Sequence, residues 1–195
     1  MKKSNIQLVI ALLLLCTAPV FAQNQVFDKG NFNLSIGYGV VPVYLMDKAT
    51  TEVPPLSARL GYGVTKTFNI SLYAGFASAT SRPNLYGDGI LTQYENKSLM
   101  AGLRGELRAP RSDRFDIYGG FMLGYTHPFV REVSVEDGSL IERPEGTPRR
   151  FRKPEGKVLF SGFVGGTWYI NRRFGIFAEA GYGISLLNAG LSVKL

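Results

Sequence analysis

The sequence predicts an all-β protein, an eight-stranded antiparallel up-and-down barrel that spans a membrane. Three observations predict this fold: eight segments alternate between apolar and polar positions, long and short connections alternate along the chain, and aromatic residues flank the short ones. A period of two held over about ten residues is typical of a β-strand with one apolar face. About ten residues is also the length that a tilted strand needs to cross a bilayer.

The apolar positions form eight runs, and no polar side chain interrupts any of them. Counted at every second residue, these runs extend from Phe32 to Val40, Leu56 to Val64, Phe68 to Phe76, Leu99 to Ala109, Phe115 to Tyr125, Val158 to Ile170, Phe174 to Ile184 and Leu187 to Leu195. The intervening positions are polar and rich in glycine, a residue that weakens a solvent-facing strand. On the concave side of a narrow barrel, glycine instead makes room for larger neighbours. The pattern therefore predicts an apolar exterior and a polar interior.

Residues 1–22 contain the three regions of a secretory signal peptide in the expected order. Lys2 and Lys3 supply a positive start, an apolar run extends from Ile6 to Leu15, and small residues precede the expected cleavage site after Ala22. The apolar run is too short for a membrane-spanning helix. We therefore expect export, with residues 1–22 removed.

The predicted mature chain, residues 23–195, forms one barrel domain with 20 basic and 15 acidic side chains, a net charge of +5. Because these charges are dispersed along an exported chain, membrane lipid and lipopolysaccharide are expected partners and nucleic acid is not. The single cysteine, Cys16, lies within the predicted signal peptide. No metal motif, phosphate-cradling loop or nucleotide fingerprint is present, so we predict no cofactor.

The connections between the predicted strands fall into two classes. Three are long (41–55, 77–97 and 127–157), three are tight (near Lys66, 111–114 and 171–173), and a fourth short one lies near Ser185. Long loops at one end and short turns at the other are typical of outer-membrane barrels. The tight turns are flanked by aromatic residues suited to the membrane interface, namely Phe68, Phe115, Trp168 and Phe174. A soluble β-domain alternates in the same way but needs neither feature.

The C-terminal part carries a more specific resemblance. Residues Gly165–Gly175 read GGTWYINRRFG, Phe177–Gly183 read FAEAGYG, and the chain ends LNAGLSVKL. These segments resemble the small outer-membrane β-barrel proteins of Bacteroidetes-type bacteria, which are related in shape to the OmpA and OmpX barrels. The resemblance implies a location in the bacterial outer membrane and a terminal strand recognised by the barrel-assembly machinery. Leu195 occupies the place where such strands usually have an aromatic residue.

Six charged side chains fall on inward positions of the predicted strands: Arg59, Arg104, Glu106, Arg108, Asp116 and Glu179. Eight strands leave a lumen just wide enough for side chains, so charges there must be paired. We predict that Glu106 and Glu179 pair with Arg59, Arg104 and Arg108 and close the lumen. The remaining space is expected to be filled by Tyr73, Tyr118, Phe163 and Phe177. The alternative is that these groups line a path for protons or small solutes.

The third long connection is the most individual part of the sequence. Residues 129–136 continue the alternation, Asp137-Gly138 is a hairpin turn signal, and residues 139–143 lead back. This predicts a β-hairpin above the membrane, followed by basic residues suited to contact with lipopolysaccharide phosphate: Arg149, Arg150, Arg152 and Lys153. A solvated loop, and a strand edge that binds an extracellular protein partner, are the alternatives.

The sequence therefore favours a non-enzymatic outer-membrane protein that serves envelope integrity, adhesion, or contact with a partner or ligand. A narrow, porin-like channel is the second hypothesis and a lipid A-modifying enzyme the third. His127 is the only histidine, and Pro128-Phe129 follow it where lipid A deacylases have a His-x-Ser motif. We therefore predict no catalytic residues.

Overall fold

The computed structural model describes residues 29–44, 49–85, 89–109, 114–136, 138–141 and 155–195. Eight long strands occur in this part of the chain: β1 (Phe32–Pro42), β2 (Thr50–Gly63), β3 (Phe68–Thr80), β4 (Leu91–Arg108), β5 (Phe115–Ser134), β6 (Lys157–Tyr169), β7 (Phe174–Gly181) and β8 (Ser185–Lys194). A two-residue strand, Asn84–Leu85, pairs with the start of β4. The predicted signal peptide lies outside the described residues. Among the described residues, no helix is long and apolar enough to cross a membrane.

The eight strands form one closed antiparallel sheet. Each strand pairs with the next along the chain, and β1 pairs with β8, for example through Leu34 and Val193. Closure leaves no open edge along the wall, which is how a β-structure satisfies its backbone groups within lipid. The predicted eight-stranded up-and-down barrel is confirmed.

The two faces of the wall have opposite character. Leu72, Leu103 and Leu123 are cross-strand neighbours on β3, β4 and β5, and their side chains are 58%, 56% and 57% exposed on the outside. On the inside, Arg104 and Tyr118 are almost fully buried. An apolar exterior around a polar, filled interior is the arrangement expected in a bilayer.

Inward glycines provide the space that the interior side chains occupy. A Cβ atom added to Gly165 would lie 2.9 Å from the ring of Tyr118, and one added to Gly37 would lie 2.9 Å from the ring of Phe177. Larger residues at either position would therefore collide with a buried ring. The role predicted for the glycines of the polar face is confirmed at these two positions.

The strands are longer at one end than the sequence indicates. β2 begins at Thr50, β3 ends at Thr80, β4 begins at Leu91 and β5 continues to Ser134. Parts of the predicted connections 41–55, 77–97 and 127–157 are thus strand. Above the bilayer both faces of a strand meet water, so the apolar alternation that marks a strand in the sequence is lost there.

Ile184 is a second departure from the sequence interpretation, which places it on the apolar exterior. It is buried in the lumen, because the chain turns through residues 182–184 between β7 and β8 and the alternation of β7 does not continue. Its side chain packs beside Gly75, where an added Cβ would lie 3.0 Å from the Ile184 Cβ. The tight connection thus brings an apolar side chain over the mouth of the barrel.

At this same end, β4 and β5 rise beyond the neighbouring strands and form what we call the projecting sheet. It consists of residues 92–99 of β4 paired with 127–134 of β5. The end of β3 and Asn84–Leu85 pair with it on one side, and residues 138–141 lie on the other. Backbone bonds from Ser134 N to Ser139 O (2.9 Å) and from Ile141 N to Glu132 O (3.0 Å) fix the return segment. Gly138 has a φ of +70°, which suits the turn position predicted for it.

Candidate functional site

Six inward side chains from four strands meet in the lumen and form what we call the lumen charge network. Arg59 comes from β2, Asp116 from β5 and Glu179 from β7, while Arg104, Glu106 and Arg108 alternate along β4. Every member is at most 8% exposed. Three guanidinium groups face three carboxyl groups, so with all six ionised the network has no net charge. The structure thus brings together the five residues that the sequence analysis paired, together with Asp116.

Glu179 connects two arginines across the barrel. Arg104 donates from Nη1 to Oε1 at 3.0 Å and from Nη2 to Oε2 at 2.7 Å, a two-bond fork that adds directionality to the charge attraction. Arg59 Nη1 donates to Oε2 of the same carboxylate at 3.2 Å, and its Nη2 donates to Ser35 Oγ at 3.2 Å. The contact joins β2, β4 and β7 and so spans the lumen.

Glu106, like Asp116, has no exposed side-chain surface. Its Oε1 accepts from Ser71 Oγ at 2.7 Å and from Arg59 Nη1 at 3.5 Å. Its Oε2 accepts from Asn69 Nδ2 at 2.9 Å and from Arg108 Nη2 at 3.0 Å. Both oxygens therefore face only donors, which suits an ionised carboxylate.

Asp116 completes the network by accepting from Arg108 Nη1. Alternation predicts the inward position of Asp116 but no partner for it, and the neutral ligands Asn69 and Ser71 are not among the predicted site residues. Asn69 and Ser71 both occupy inward positions in the alternation of β3, so the sequence pattern was sufficient to identify them. The specific pairs depend on the stagger of strands around the barrel, which alternation does not encode.

Aromatic rings enclose the guanidinium groups. The Arg104 Cζ lies 3.6 Å from the centre of the Phe163 ring and 5.5 Å from that of Tyr73. The Arg59 Cζ lies 4.9 Å from the centre of the Tyr118 ring and 5.4 Å from that of Phe177. Cation–π contacts of this kind stabilise an arginine where water is excluded. All four rings that the sequence analysis expected to fill the lumen contact the charge network.

An apolar layer lies above the charge network, towards the long-loop end. Its buried members are Tyr73, Ala77, Met100, Met122 and Ile184, with Tyr44, Leu159 and Phe163 packed against them. The inward positions of Met100 and Met122 were visible in the alternation, although the sequence analysis did not use them. The lumen therefore has two successive barriers, one ionic and one apolar.

Among the described residues, only small cavities remain between the charge network and the apolar layer. Two cavities of about 10 Å³ border Tyr73, Arg104, Glu179 and Asn188. One water molecule needs roughly 10–15 Å³ on this measure. The described lumen thus has local room for single water molecules beside Glu179, whereas Glu106 lies outside both cavities.

The remaining residues named in the sequence analysis are His127 and four basic residues of the third long connection. His127 lies on β5 between Tyr125 and Phe129, with ring centres 6.3 Å and 4.6 Å from its own. Among the described residues, no group of His, Cys, Asp and Glu could hold a metal ion. The basic residues predicted to contact anions lie outside the described residues: Arg149, Arg150, Arg152 and Lys153.

Glu179→Gln is expected to destabilise the barrel, because it removes the shared counter-ion of Arg59 and Arg104. Breaking a dry buried pair costs ~3–5 kcal/mol, and an exposed pair contributes ~0–1 kcal/mol. Glu179 borders water-sized cavities, so we expect a loss between these limits. Chemical unfolding in detergent measures it as a shift of the denaturant midpoint. An unchanged midpoint would contradict a closed lumen and favour a solvated path.

A closed eight-stranded antiparallel barrel with an apolar wall, a plugged polar lumen, tight turns at one rim and long connections at the other is the fold of small outer-membrane barrel proteins. In this class the tight turns face the periplasm and the long connections face the exterior.

Solved structures of this class match the chain. Outer-membrane protein OprG from Pseudomonas aeruginosa superimposes with a TM-score of 0.60 at 16% identity, covering 89% of this chain and 99% of that one. The N-terminal β-barrel domain of Pseudomonas aeruginosa OprF gives a TM-score of 0.51 at 10% identity, covering 87% of this chain and 100% of that one. No protein-family model matches the sequence, and no curated protein matches it. The predicted fold is confirmed, and both matched proteins are outer-membrane proteins of a bacterium, while the Bacteroidetes-type assignment stays a prediction.

Proposed function

We propose that this protein is a non-conducting, non-enzymatic barrel that acts at the cell surface through its projecting sheet. The observation that supports this most directly is the double closure of the lumen. A neutral network of six buried charges lies below an apolar layer, and the bordering cavities hold about one water molecule each. With the interior occupied in this way, the long-loop end is the surface left for contact with other molecules.

The projecting sheet has the features of a contact surface. It is ordered by backbone pairing on both sides of β4 and β5, and Thr92 and Val133 within it are buried. The sheet and the residues directly beside it nevertheless expose apolar side chains outside the membrane belt: Leu85 and Leu140 within the sheet, and Ile90 and Val135 next to it. Exposed apolar groups on a rigid scaffold are typical of protein interaction sites.

Conductance of single barrels in a planar bilayer tests the closed lumen. We expect no current steps above the baseline, because an ion would have to pass both the ionic and the apolar barrier. Reconstitution is verified by recovering the folded protein from the same bilayer material. Discrete current steps would overturn this half of the proposal and support the channel hypothesis.

Complementation of a deletion strain tests the role of the projecting sheet. The matched variants are Leu85→Ser/Leu140→Ser in the sheet and Leu72→Ala in the lipid-facing wall. If surface contact is the function, the sheet variant fails to restore wild-type adhesion or detergent resistance, whereas the wall variant restores it. Full restoration by the sheet variant would instead indicate that the barrel alone suffices for envelope integrity.

The narrow channel remains a second candidate because one observation favours it. The two cavities border Arg59, Arg104 and Glu179 of the charge network, so water molecules in them could carry protons past these side chains. A pH-sensitive dye inside vesicles that contain the barrel tests this path. Proton entry that is lost in Glu179→Gln would support the channel, and a flux equal to that of empty vesicles would exclude it.

A further inference from the structure

The tight-turn end of the barrel, which we call the periplasmic rim, has the same pair of residue types at the start of four strands. Every strand that starts at this rim begins with phenylalanine: Phe32 of β1, Phe68 of β3, Phe115 of β5 and Phe174 of β7. Three of these rings are 45–53% exposed on the outer wall, and Phe68 is half-buried. The aromatic residues predicted to flank the tight turns include the last three of these but not Phe32.

A basic residue precedes each of these phenylalanines by one to three positions. The pairs are Lys29 with Phe32, Lys66 with Phe68, Arg114 with Phe115 and Arg173 with Phe174. All four basic side chains are exposed, and none forms an ion pair with a described carboxylate. Each of the four pairs thus places an exposed cation next to an aromatic ring at the edge of the apolar wall.

The net charge of the barrel is concentrated at this same rim. Among the described residues, the periplasmic rim has six basic side chains and no acidic one, whereas the strand extensions and connections at the opposite end have four basic and five acidic side chains. The lumen charge network has three of each. The excess of positive charge among the described residues therefore lies at the tight-turn end, next to the inner leaflet of the membrane.

We infer that the periplasmic rim is a binding surface for anionic phospholipid headgroups, formed by Lys29, Lys66, Arg114 and Arg173. Aromatic residues form a girdle at each edge of the apolar band of an outer-membrane barrel, so the four phenylalanines mark the height of the adjacent cations. Cations at that height attract anionic lipid, each by about fivefold. A lipid surface fits better than a soluble anion because the cations are spread around the wall and do not converge on one pocket.

Native mass spectrometry of the folded barrel, purified from the outer membrane in detergent, tests this inference. The probe is an equimolar mixture of phosphatidylglycerol and phosphatidylcholine with identical acyl chains. We expect wild-type barrel to retain phosphatidylglycerol at least about fivefold more often. Combined replacement of Lys29, Lys66, Arg114 and Arg173 by Gln is expected to reduce this ratio to about one.

The matched control removes four exposed cations from the opposite end by replacing Arg82, Lys97, Arg131 and Lys157 with Gln. This control variant loses four positive charges, as the rim variant does, and should keep the wild-type ratio of phosphatidylglycerol to phosphatidylcholine. Equal retention of both lipids by wild type, or equal loss of preference in the control, would overturn the inference. Single variants Lys66→Gln and Arg173→Gln keep the test valid if the fourfold variant fails to fold, since each should lower the ratio.

Competition separates a lipid surface from a soluble-anion site. Millimolar glycerol phosphate should leave the phosphatidylglycerol adducts unchanged, because it lacks the acyl chains that hold the headgroup beside the wall. Displacement by glycerol phosphate would assign the cations to a soluble anion and overturn the lipid assignment.

Discussion

Glu106→Gln is expected to lower the stability of the barrel by ~3–5 kcal/mol, the usual cost of leaving a buried charge without its partner. The side chain keeps its shape but loses its charge, so three guanidiniums in the lumen share two carboxylates. The new amide group also faces donors whichever way it is turned, since Arg59 adjoins one oxygen and Arg108 the other. Chemical unfolding in detergent should show a clear decrease in the denaturant midpoint.

Glu95→Gln is the matched control for this prediction. Glu95 lies on the same strand, β4, but in the projecting sheet outside the lumen. Surface substitutions of this kind usually change stability by less than about 0.5 kcal/mol. A double variant with Arg59→Gln should lose less stability than the sum of the single variants, because the two groups interact directly. Equal midpoints for Glu106→Gln and Glu95→Gln would contradict a dry charge network.

Leu103→Arg is expected to block insertion or to destabilise the inserted barrel by ~2–4 kcal/mol, the cost of arginine at the middle of the lipid-facing wall. Leu103 lies midway along the apolar run of β4, between Leu72 and Leu123. The strand and its backbone bonds are unchanged, so the loss arises from the charge in hydrocarbon. Equilibrium folding into phospholipid vesicles across a urea series measures it.

Two controls separate the charge from other effects of this substitution. Leu103→Ala removes the side chain without adding a charge, and Gln93→Arg adds the same charge on β4 above the bilayer. Both should fold, and a Gln93→Arg barrel as unstable as Leu103→Arg would show that depth in the membrane is not the cause.

The inward neighbour Gly102 is not a suitable control, although alternation indicates that it would accept serine. A Cβ there would lie 2.9 Å from both the Gly124 Cα and the Leu123 carbonyl oxygen, so backbone would have to shift. Alternation identifies the side of the wall on which a residue lies, but not how closely the next strand approaches.

Most of the fold could be predicted because a bilayer imposes a strict rule on each strand separately. Leu103 and Arg104 are adjacent in sequence, and one must face lipid while the other must avoid it. That rule does not apply above the membrane. There the extra length of β4 and β5, including the buried Thr92 and Val133, depends on pairing between segments rather than on an apolar repeat.

The sequence by itself determined the strand number, the two faces of the wall, the position of the tight turns and the inward placement of the lumen charges, because each follows from a period of two within a single strand. Only the tertiary structure decided which charges pair, where Ile184 lies and how β4 and β5 continue outside the membrane. Glu179 meets Arg104 and Arg59, 75 and 120 residues away, because closure sets the stagger between strands. Stagger is a property of the whole barrel, and no single segment contains it.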